Sequence, residues 1–394
     1  MMRVIGTTAR GLRAPIIKEG DDLRRIVVDT VLNASEAEGF KIEENDVIGI
    51  TESLVARAQG NYVKLTDIAE DLNNKFDGDI GVLFPILSRN RFASILESVA
   101  LTGKKIYLFL NYPSDEVGNH LMNIEKMDDA GINPYTDHLT EEEYRNTFSQ
   151  EDIVHPFTGI DYIQMYKNLV KSGQIEVHLA NDPRVALKFT KNILVANIHE
   201  RHRTKKILLN AGAKNVYALD EIVTASVNGS GYNEDYGLLG SNKATDDSIK
   251  LFPRDCKTLV NAIQEEITAR TGISVEVMVY GDGAFKDPVG KIWELADPVV
   301  SPGFTDGLVG TPDEIKIKYI ADNDLVDGKS REDQIIEKIN EKSKREVIGD
   351  EALGTTPRQL TDLLGSLCDL MSGSGDKGTP VIYIKGYFDN YASK

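Results

Sequence analysis

The fold class is decided by residues 80–110, which read IGVLFPILSRNRFASILESVALTGKKIYLFL. Residues 80–84 form an apolar run typical of a buried strand, residues 92–101 have a helical pattern, and residues 105–110 form a second strand pattern. The alternation continues toward the C-terminus with a helix pattern over residues 204–210 and further strand candidates at 175–179, 193–197 and 216–219. Strands that alternate with helices favour a mainly parallel sheet covered by helices, so we predict a compact α/β lobe here.

The flanking parts of the chain carry clear patterns as well. Leu23, Ile26, Val27 and Val31 recur at helical spacing after Asp21, which predicts a helix that begins near this aspartate. Residues 119–161 are polar and are predicted to be irregular. The other predicted elements are strands at 4–5, 47–51, 274–280 and 381–384, and helices at 256–270, 329–346 (solvated) and after Pro357.

Composition excludes several classes of function. The chain has 394 residues, with 45 Lys and Arg against 62 Asp and Glu, a net charge of −17. That balance argues against nucleic acid and against an anionic membrane as partners. The only two cysteines, Cys256 and Cys368, are far apart and cannot form a disulfide framework or a CxxC zinc site. With neither a signal peptide nor a long apolar run in view, we expect a cytoplasmic protein.

Two local features could carry chemistry, and each has a structural alternative. The Gly-rich segment at 373–378 could direct backbone N–H groups at an anion, with Lys377 adding charge. Its order of helix, loop and strand is the reverse of a P-loop, so a flexible connection is the alternative. Asp282 directly follows an apolar strand and could hold a Mg²⁺ or Mn²⁺ that carries a nucleotide, or could simply be the polar residue of a tight turn.

Several separated segments share a resemblance to one family. They are GLRAPIIKEGDDL at 11–23, the stretch from Asp46 through TESLVARAQG at 51–60, Gly240-Ser241-Asn242 with LFPRD at 251–255, VMVYGD at 277–282, and MSGSGDKGTP at 371–380. In this order they resemble the coenzyme F-420 gamma-glutamyl ligases. The resemblance covers roughly the first 60 and the last 170 residues.

This resemblance implies an α+β fold with two interlocked mixed α/β subdomains of the gamma-glutamyl ligase type and an inserted α/β lobe. It also implies a homodimeric enzyme that uses GTP as co-substrate and a divalent metal, Mn²⁺ or Mg²⁺. Such a ligase phosphorylates a small-molecule carboxylate, possibly a deazaflavin coenzyme precursor, and the amine of L-glutamate then displaces the phosphate to form an amide.

Matching the family motifs residue by residue assigns the candidate site. The nucleotide site would be lined by Pro15, Ile16, Ile17, Glu52, Ser53, Arg57 and Asn242. The Gly-rich loop of the site would be Gly373, Ser374, Gly375 and Asp376, and Asp282 would bind the metal. No catalytic residue is assigned.

The chain also departs from the family. Leu239 stands where the family has a metal-binding aspartate, and residues 66–224 form a middle segment much longer than the family's. We therefore expect a ligase-like core at 1–65 and 225–394 and an inserted lobe at 66–224. The alternative to an enzyme is a noncatalytic protein that retains the fold and binds a nucleotide or a partner. A third possibility gives the inserted segment a ligand of its own, although it lacks GxGxxG.

Overall fold

The computed structural model of the protein divides into two compact units. The first unit comprises Met1–Ala58, Asp255–Gly283 and Val300–Lys394, and the second comprises Gln59–Arg254 and Ala284–Val299. The structure describes residues 4–155, 158–281, 301–326, 328, 330–342, 352, 358–373 and 376–393, and the backbone of 285–286 and 293–294. Its mixed helices and sheets confirm the expected α+β fold.

The boundaries of these units differ from the division expected from the sequence. Residues 225–254, which we assigned to the ligase-like core, belong to the same compact unit as the parallel sheet. Residues 59–65 do so as well. Compactness does not reveal where a segment was inserted during evolution, so the predicted core and insert stay a prediction.

The described part of the first unit is built on a five-stranded mixed sheet. Its central strand pair is parallel, with Val47 opposite Glu276 and Thr51 opposite Tyr280. The outer pairs are antiparallel. In spatial order the strands are Thr8–Leu12, Val381–Lys385, Val47–Thr51, Glu276–Tyr280 and Gly303–Phe304.

Helices cover both faces of this sheet, because successive strand residues point to opposite sides. Ile48 and Ile50 pack under Leu23–Glu38 and Cys256–Thr271, whereas Val47 packs with Leu360–Met371 on the other face. The other described helices of this unit are Glu52–Ala58, Ile317–Asn323 and Arg331–Lys342, with a 3-10 turn at Asp306–Leu308.

The second unit contains the predicted parallel sheet. Five strands are parallel, and a short sixth strand, Leu139–Thr140, pairs antiparallel with one edge. From that edge the parallel strands are Ile175–Leu179, Ile106–Leu110, Ile80–Leu83, Asn192–Val195 and Asn215–Ala218. The first strand along the chain therefore lies in the middle of the sheet.

Two apolar layers bury the two faces of this sheet, as parallel strands require. One layer contains Val82 and Leu108 and the other contains Leu83 and Phe109. The helices of the unit are Leu65–Lys75, Phe92–Leu101, Ile124–Asp129, Glu141–Thr147, Gln150–Ile153, Tyr162–Asn168 and Arg201–Asn210, with 3-10 turns at Pro183–Lys188 and Leu219–Glu221.

Two small sheets complete the described elements of the second unit. Tyr62–Lys64, Ser248–Lys250 and Asn242–Lys243 form a three-stranded antiparallel sheet. Phe285–Lys286 pairs with Trp293–Glu294 as a short hairpin. No helix in the described ranges is both long enough and apolar enough to cross a membrane.

Three local predictions are corrected. The strand predicted at Val4 and Ile5 is wrong: both side chains are exposed, and the strand is Thr8–Leu12, which pairs with Val381–Lys385. Residues 119–161 are less irregular than predicted, since they contain three of the short helices and one edge strand. The helix in the charge run is not wholly solvated, because Ile335 and Ile339 are buried in a small apolar cluster.

Candidate functional site

Four of the five family-like segments converge on one edge of the sheet in the first unit. Leu12 lies opposite Val381, Val381 lies opposite Ile50, and Thr51 lies opposite Tyr280. The segments that follow or precede these residues therefore leave the sheet side by side. We call this edge the strand-end edge.

The loop after the first strand is tied to the helix Glu52–Ala58. Arg57 donates a hydrogen bond from Nε to the carbonyl oxygen of Ile17 at 2.7 Å, and the Gly20 N–H donates to the carbonyl of Ala58 at 2.9 Å. Ile17 is buried, whereas Pro15 and Ile16 are exposed. Arg57 thus positions the loop through its backbone and leaves two of the predicted residues on the surface.

The closing Gly-rich loop is attached to both neighbouring segments. The N–H of Ala14 donates to Gly378 O at 3.3 Å, and the N–H of Thr51 donates to Pro380 O at 3.1 Å. Gly373 pairs with Thr379 as an isolated bridge that closes the loop. Asp376 and Lys377 are exposed, while Ser374 and Gly375 lie outside the described residues.

Glu52 is the buried acidic group at the strand-end edge. It is the first residue of its helix and only 4% exposed, whereas the adjacent Ser53 is exposed. Burial raises the pKa of the Cys256 thiol to about 12, and the charges of Glu52 and Asp255 add to this. Cys256 is therefore a protonated core residue and not a nucleophile.

The fifth segment lies in the second unit. Asn242 begins a short strand and is opposite Lys250. Leu239, at the position of the family's aspartate, is 2% exposed and belongs to the large apolar core of that unit. A leucine side chain has no donor atom, so this position supplies no ligand for a hard cation.

The described residues do not by themselves complete a divalent-metal site. Among them no group of three or more His, Cys, Asp or Glu side chains has the spacing to hold a metal ion. Asp282 lies outside the described residues, although the strand before it, Glu276–Tyr280, ends at the strand-end edge. Its assignment as a metal ligand stays a prediction, and so does the nucleotide site as a whole.

Sequence reasoning did not single out Thr379. Its hydroxyl oxygen is buried and has no hydrogen-bond partner in the part of the chain that the structure describes. Its side chain lies beside Gly11, where an added Cβ would come within 3.1 Å of the Thr379 Cβ. The signal in the sequence was a hydroxyl residue directly after the Gly-rich loop. Thr379 is a further candidate for contact with a ligand at this edge.

Comparison with known proteins gives one family. The model of the family described as F420-0:gamma-glutamyl ligase matches residues 11–386, nearly the whole chain. No curated protein matches. The match includes every segment that resembled the family in the sequence and also the long middle part. The chain belongs to the F420-0:gamma-glutamyl ligase family of amide-forming ligases.

Proposed function

We propose that this protein is a GTP- and divalent-metal-dependent ligase that joins L-glutamate to a small-molecule carboxylate. The family match over residues 11–386 is the observation that carries the proposal. The arrangement of the first unit supports it, because residues far apart in sequence, such as Pro15, Glu52 and Thr379, are brought to one sheet edge. A deazaflavin coenzyme precursor is the first carboxylate to test.

The proposed reaction has two steps. A carboxylate oxygen of the substrate attacks the γ-phosphorus of GTP, and GDP leaves. The neutral amine of L-glutamate then attacks the acyl carbon, inorganic phosphate leaves with the carboxylate oxygen, and the nitrogen loses one proton to become the amide N–H. A divalent ion, when bound, would neutralise phosphate charge.

This chain's own groups would mainly bind and orient the reactants. Arg57 fixes the loop that contains Pro15 and Ile16 through its hydrogen bond to Ile17. Lys377 is an exposed cation of the Gly-rich loop, and its side chain lies against Gly373. Positioning of this kind supplies much of the rate in amide-forming and phosphoryl-transfer reactions.

A second candidate function is a noncatalytic protein that binds a nucleotide or a partner. Leu239 favours it, because this buried leucine replaces a metal ligand of the family. Under this alternative nucleotide binding would persist without glutamate-dependent turnover.

The test is calorimetric titration of the full chain with GTP and with ATP, each with and without Mn²⁺. We expect Mn²⁺-dependent affinity, which Asp282→Asn removes because it replaces a charged ligand by an uncharged one of the same shape. Asp306→Asn is the matched control. This exposed aspartate comes soon after the strand Gly303–Phe304 and lies near Glu276, whereas Asp282 follows Tyr280 at the other end of the strand Glu276–Tyr280. If neither nucleotide binds under any metal condition, the ligase proposal is wrong.

A cytoplasmic homodimer is part of the same proposal: the dimer rests on the family resemblance, and the compartment rests on the sequence features described above. Light scattering of the purified chain measures the oligomeric state directly. A mass of 43.6 kDa at micromolar concentration would contradict the dimer.

A further inference from the structure

The second unit has a cavity at the carboxyl edge of its parallel sheet. The strand Ile80–Leu83 is in the middle of this sheet. The next strand along the chain, Ile106–Leu110, pairs with one side of it, and the later strand Asn192–Val195 pairs with the other side. Ligands of open α/β sheets bind in the crevice beyond the carboxyl ends of the strands, at the point where the strand order reverses. In this unit that point lies between Leu83 and Val195.

The cavity opens at that position and encloses about 290 Å³. Residues 86–92 follow the central strand and form one wall, while Ala196 and Ile198 follow the neighbouring strand and form another. Leu219 and Leu238 contribute from elsewhere in the same unit. Its volume is close to the lower end of small-molecule sites, roughly 300 Å³.

Arginines are the fully charged side chains among the described lining residues. Arg89 and Arg91 line it, and none of the described lining residues is Asp or Glu. Arg89 is exposed to solvent, so its guanidinium can meet a ligand from outside. An exposed arginine guanidinium at the opening of a cavity favours an anionic ligand.

The nearby carboxylates hold the walls in place. Asp115 accepts a hydrogen bond from the N–H of Leu87 at 2.9 Å, and Glu116 accepts one from the N–H of His199 at 3.0 Å. The N–H of Ser88 donates to the Tyr166 hydroxyl at 3.0 Å. Because the walls are already ordered, a ligand loses little affinity to ordering them.

The rest of the lining is apolar or neutral. Phe92, Ile95 and Leu238 present hydrocarbon to the cavity. Burial is the main cause that lowers the pKa of His155, and its Nδ1 accepts a hydrogen bond from the N–H of Thr158 at 3.1 Å. His155 is therefore a neutral imidazole with its proton on Nε2, and it adds no positive charge.

We propose that this cavity binds a small organic anion, with its phosphate or carboxylate group at Arg89 and its apolar body against Phe92 and Leu238. The site lies within the second unit, and its lining includes Leu239, Gly240 and Ser241, which directly precede Asn242 of the proposed nucleotide site. It does not depend on the ligase activity. The sequence signal was an arginine pair in the segment between a buried strand and the next helix of an alternating α/β pattern.

The experiment titrates the full chain with three probes that share a phenyl ring: phenyl phosphate, benzoate and neutral benzyl alcohol. Calorimetry or ligand-observed NMR measures each dissociation constant without nucleotide. For phenyl phosphate we expect a constant on the order of 1 mM, given its size. Comparing the affinities of phenyl phosphate and benzoate shows whether the site prefers a phosphate or a carboxylate group. The affinity of benzyl alcohol measures the contribution of the apolar ring without a charge.

Variants locate the bound probe. Arg89→Gln should weaken the better anion about tenfold, because one charge-assisted contact is lost, and should leave benzyl alcohol unchanged. Arg203→Gln is the matched control, since Arg203 is an equally exposed arginine on the helix Arg201–Asn210 of the same unit. Equal effects of the two variants, no binding of either anion, or displacement of the anion by GTP would each overturn the proposal.

Discussion

Leu239 occupies the position at which the family has a metal-binding aspartate. The substitution Leu239→Asp therefore tests whether this chain could regain a metal ligand there. The side chain is 2% exposed, packs in the large apolar core of the second unit and also lines the cavity at the carboxyl ends of its parallel strands. Leu239→Asp would remove a buried leucine, which costs about 2–5 kcal/mol for truncation to alanine. It would also place a carboxylate among apolar groups, which adds roughly 1–3 kcal/mol even where a cavity admits water. Since a domain has only about 5–15 kcal/mol of stability, we expect a marginally folded variant without metal-dependent activity.

Urea unfolding of Leu239→Asp beside Leu239→Ala and Leu239→Asn separates these contributions. Asparagine has the shape of aspartate without its charge, so the difference between the two variants isolates the buried ionised carboxylate. Burial raises a carboxyl pKa in the folded state above about 3.9, its unfolded value. The extra destabilisation of aspartate is therefore absent below about pH 4 and grows as the pH rises toward the folded-state pKa.

A specific result would refute this reasoning. If Leu239→Asp unfolded at the same urea concentration as the unmodified chain and gained Mn²⁺-dependent turnover, position 239 would be an open ligand position. The apolar packing described for it would then be wrong.

Three further predictions concern the first unit. Arg57→Ala removes the hydrogen bond to Ile17, so the free energy of unfolding should fall by about 1 kcal/mol. Amide hydrogen exchange in residues 13–20 should become faster, and unchanged exchange there would contradict the proposal that Arg57 positions this loop. The Cys256 thiol, with its pKa raised to about 12, should not react with a maleimide at pH 8 until urea unfolds the chain, and rapid labelling of the native protein would refute its burial. Tyr383→Phe removes a hydrogen-bond donor from the buried Asp46 carboxylate, whose pKa is raised by burial. The free energy of unfolding should fall by about 1–3 kcal/mol at pH 7 and by less below about pH 4, where the carboxyl group is protonated. A loss that does not change with pH would argue against an ionised Asp46.

Local periodicity predicted most of the elements. The helix Phe92–Leu101 and the strand Ile175–Leu179 have the bounds that their patterns indicated, because apolar side chains recur in each at the spacing of a buried face. Thr8–Leu12 escaped prediction because its sequence, TARGL, contains one large apolar residue, and its order comes from pairing with Val381–Lys385 at the other end of the chain. The pairing strand is more than 360 residues away in the sequence, so a local pattern around Thr8–Leu12 could not reveal it.

The candidate site was predictable only in part. The family motifs identified the residues around Pro15, Glu52 and Gly373, but only strand register shows that they share an edge. Motif matching treated Leu239 as a missing ligand and could not show that it is a core residue. Arg89 was overlooked because its significance depends on strand order, which places the end of Ile80–Leu83 beside the end of Asn192–Val195.

Glutamate-dependent release of phosphate from GTP tests the central claim most directly. The full chain is incubated with GTP, Mn²⁺ and a deazaflavin precursor, with and without L-glutamate. Released phosphate is quantified, and the masses of the products are measured by mass spectrometry. The ligase account predicts one phosphate released per amide formed, and a product heavier by one glutamate residue. GTP that binds but is never cleaved, with and without glutamate, would contradict it and favour the noncatalytic alternative.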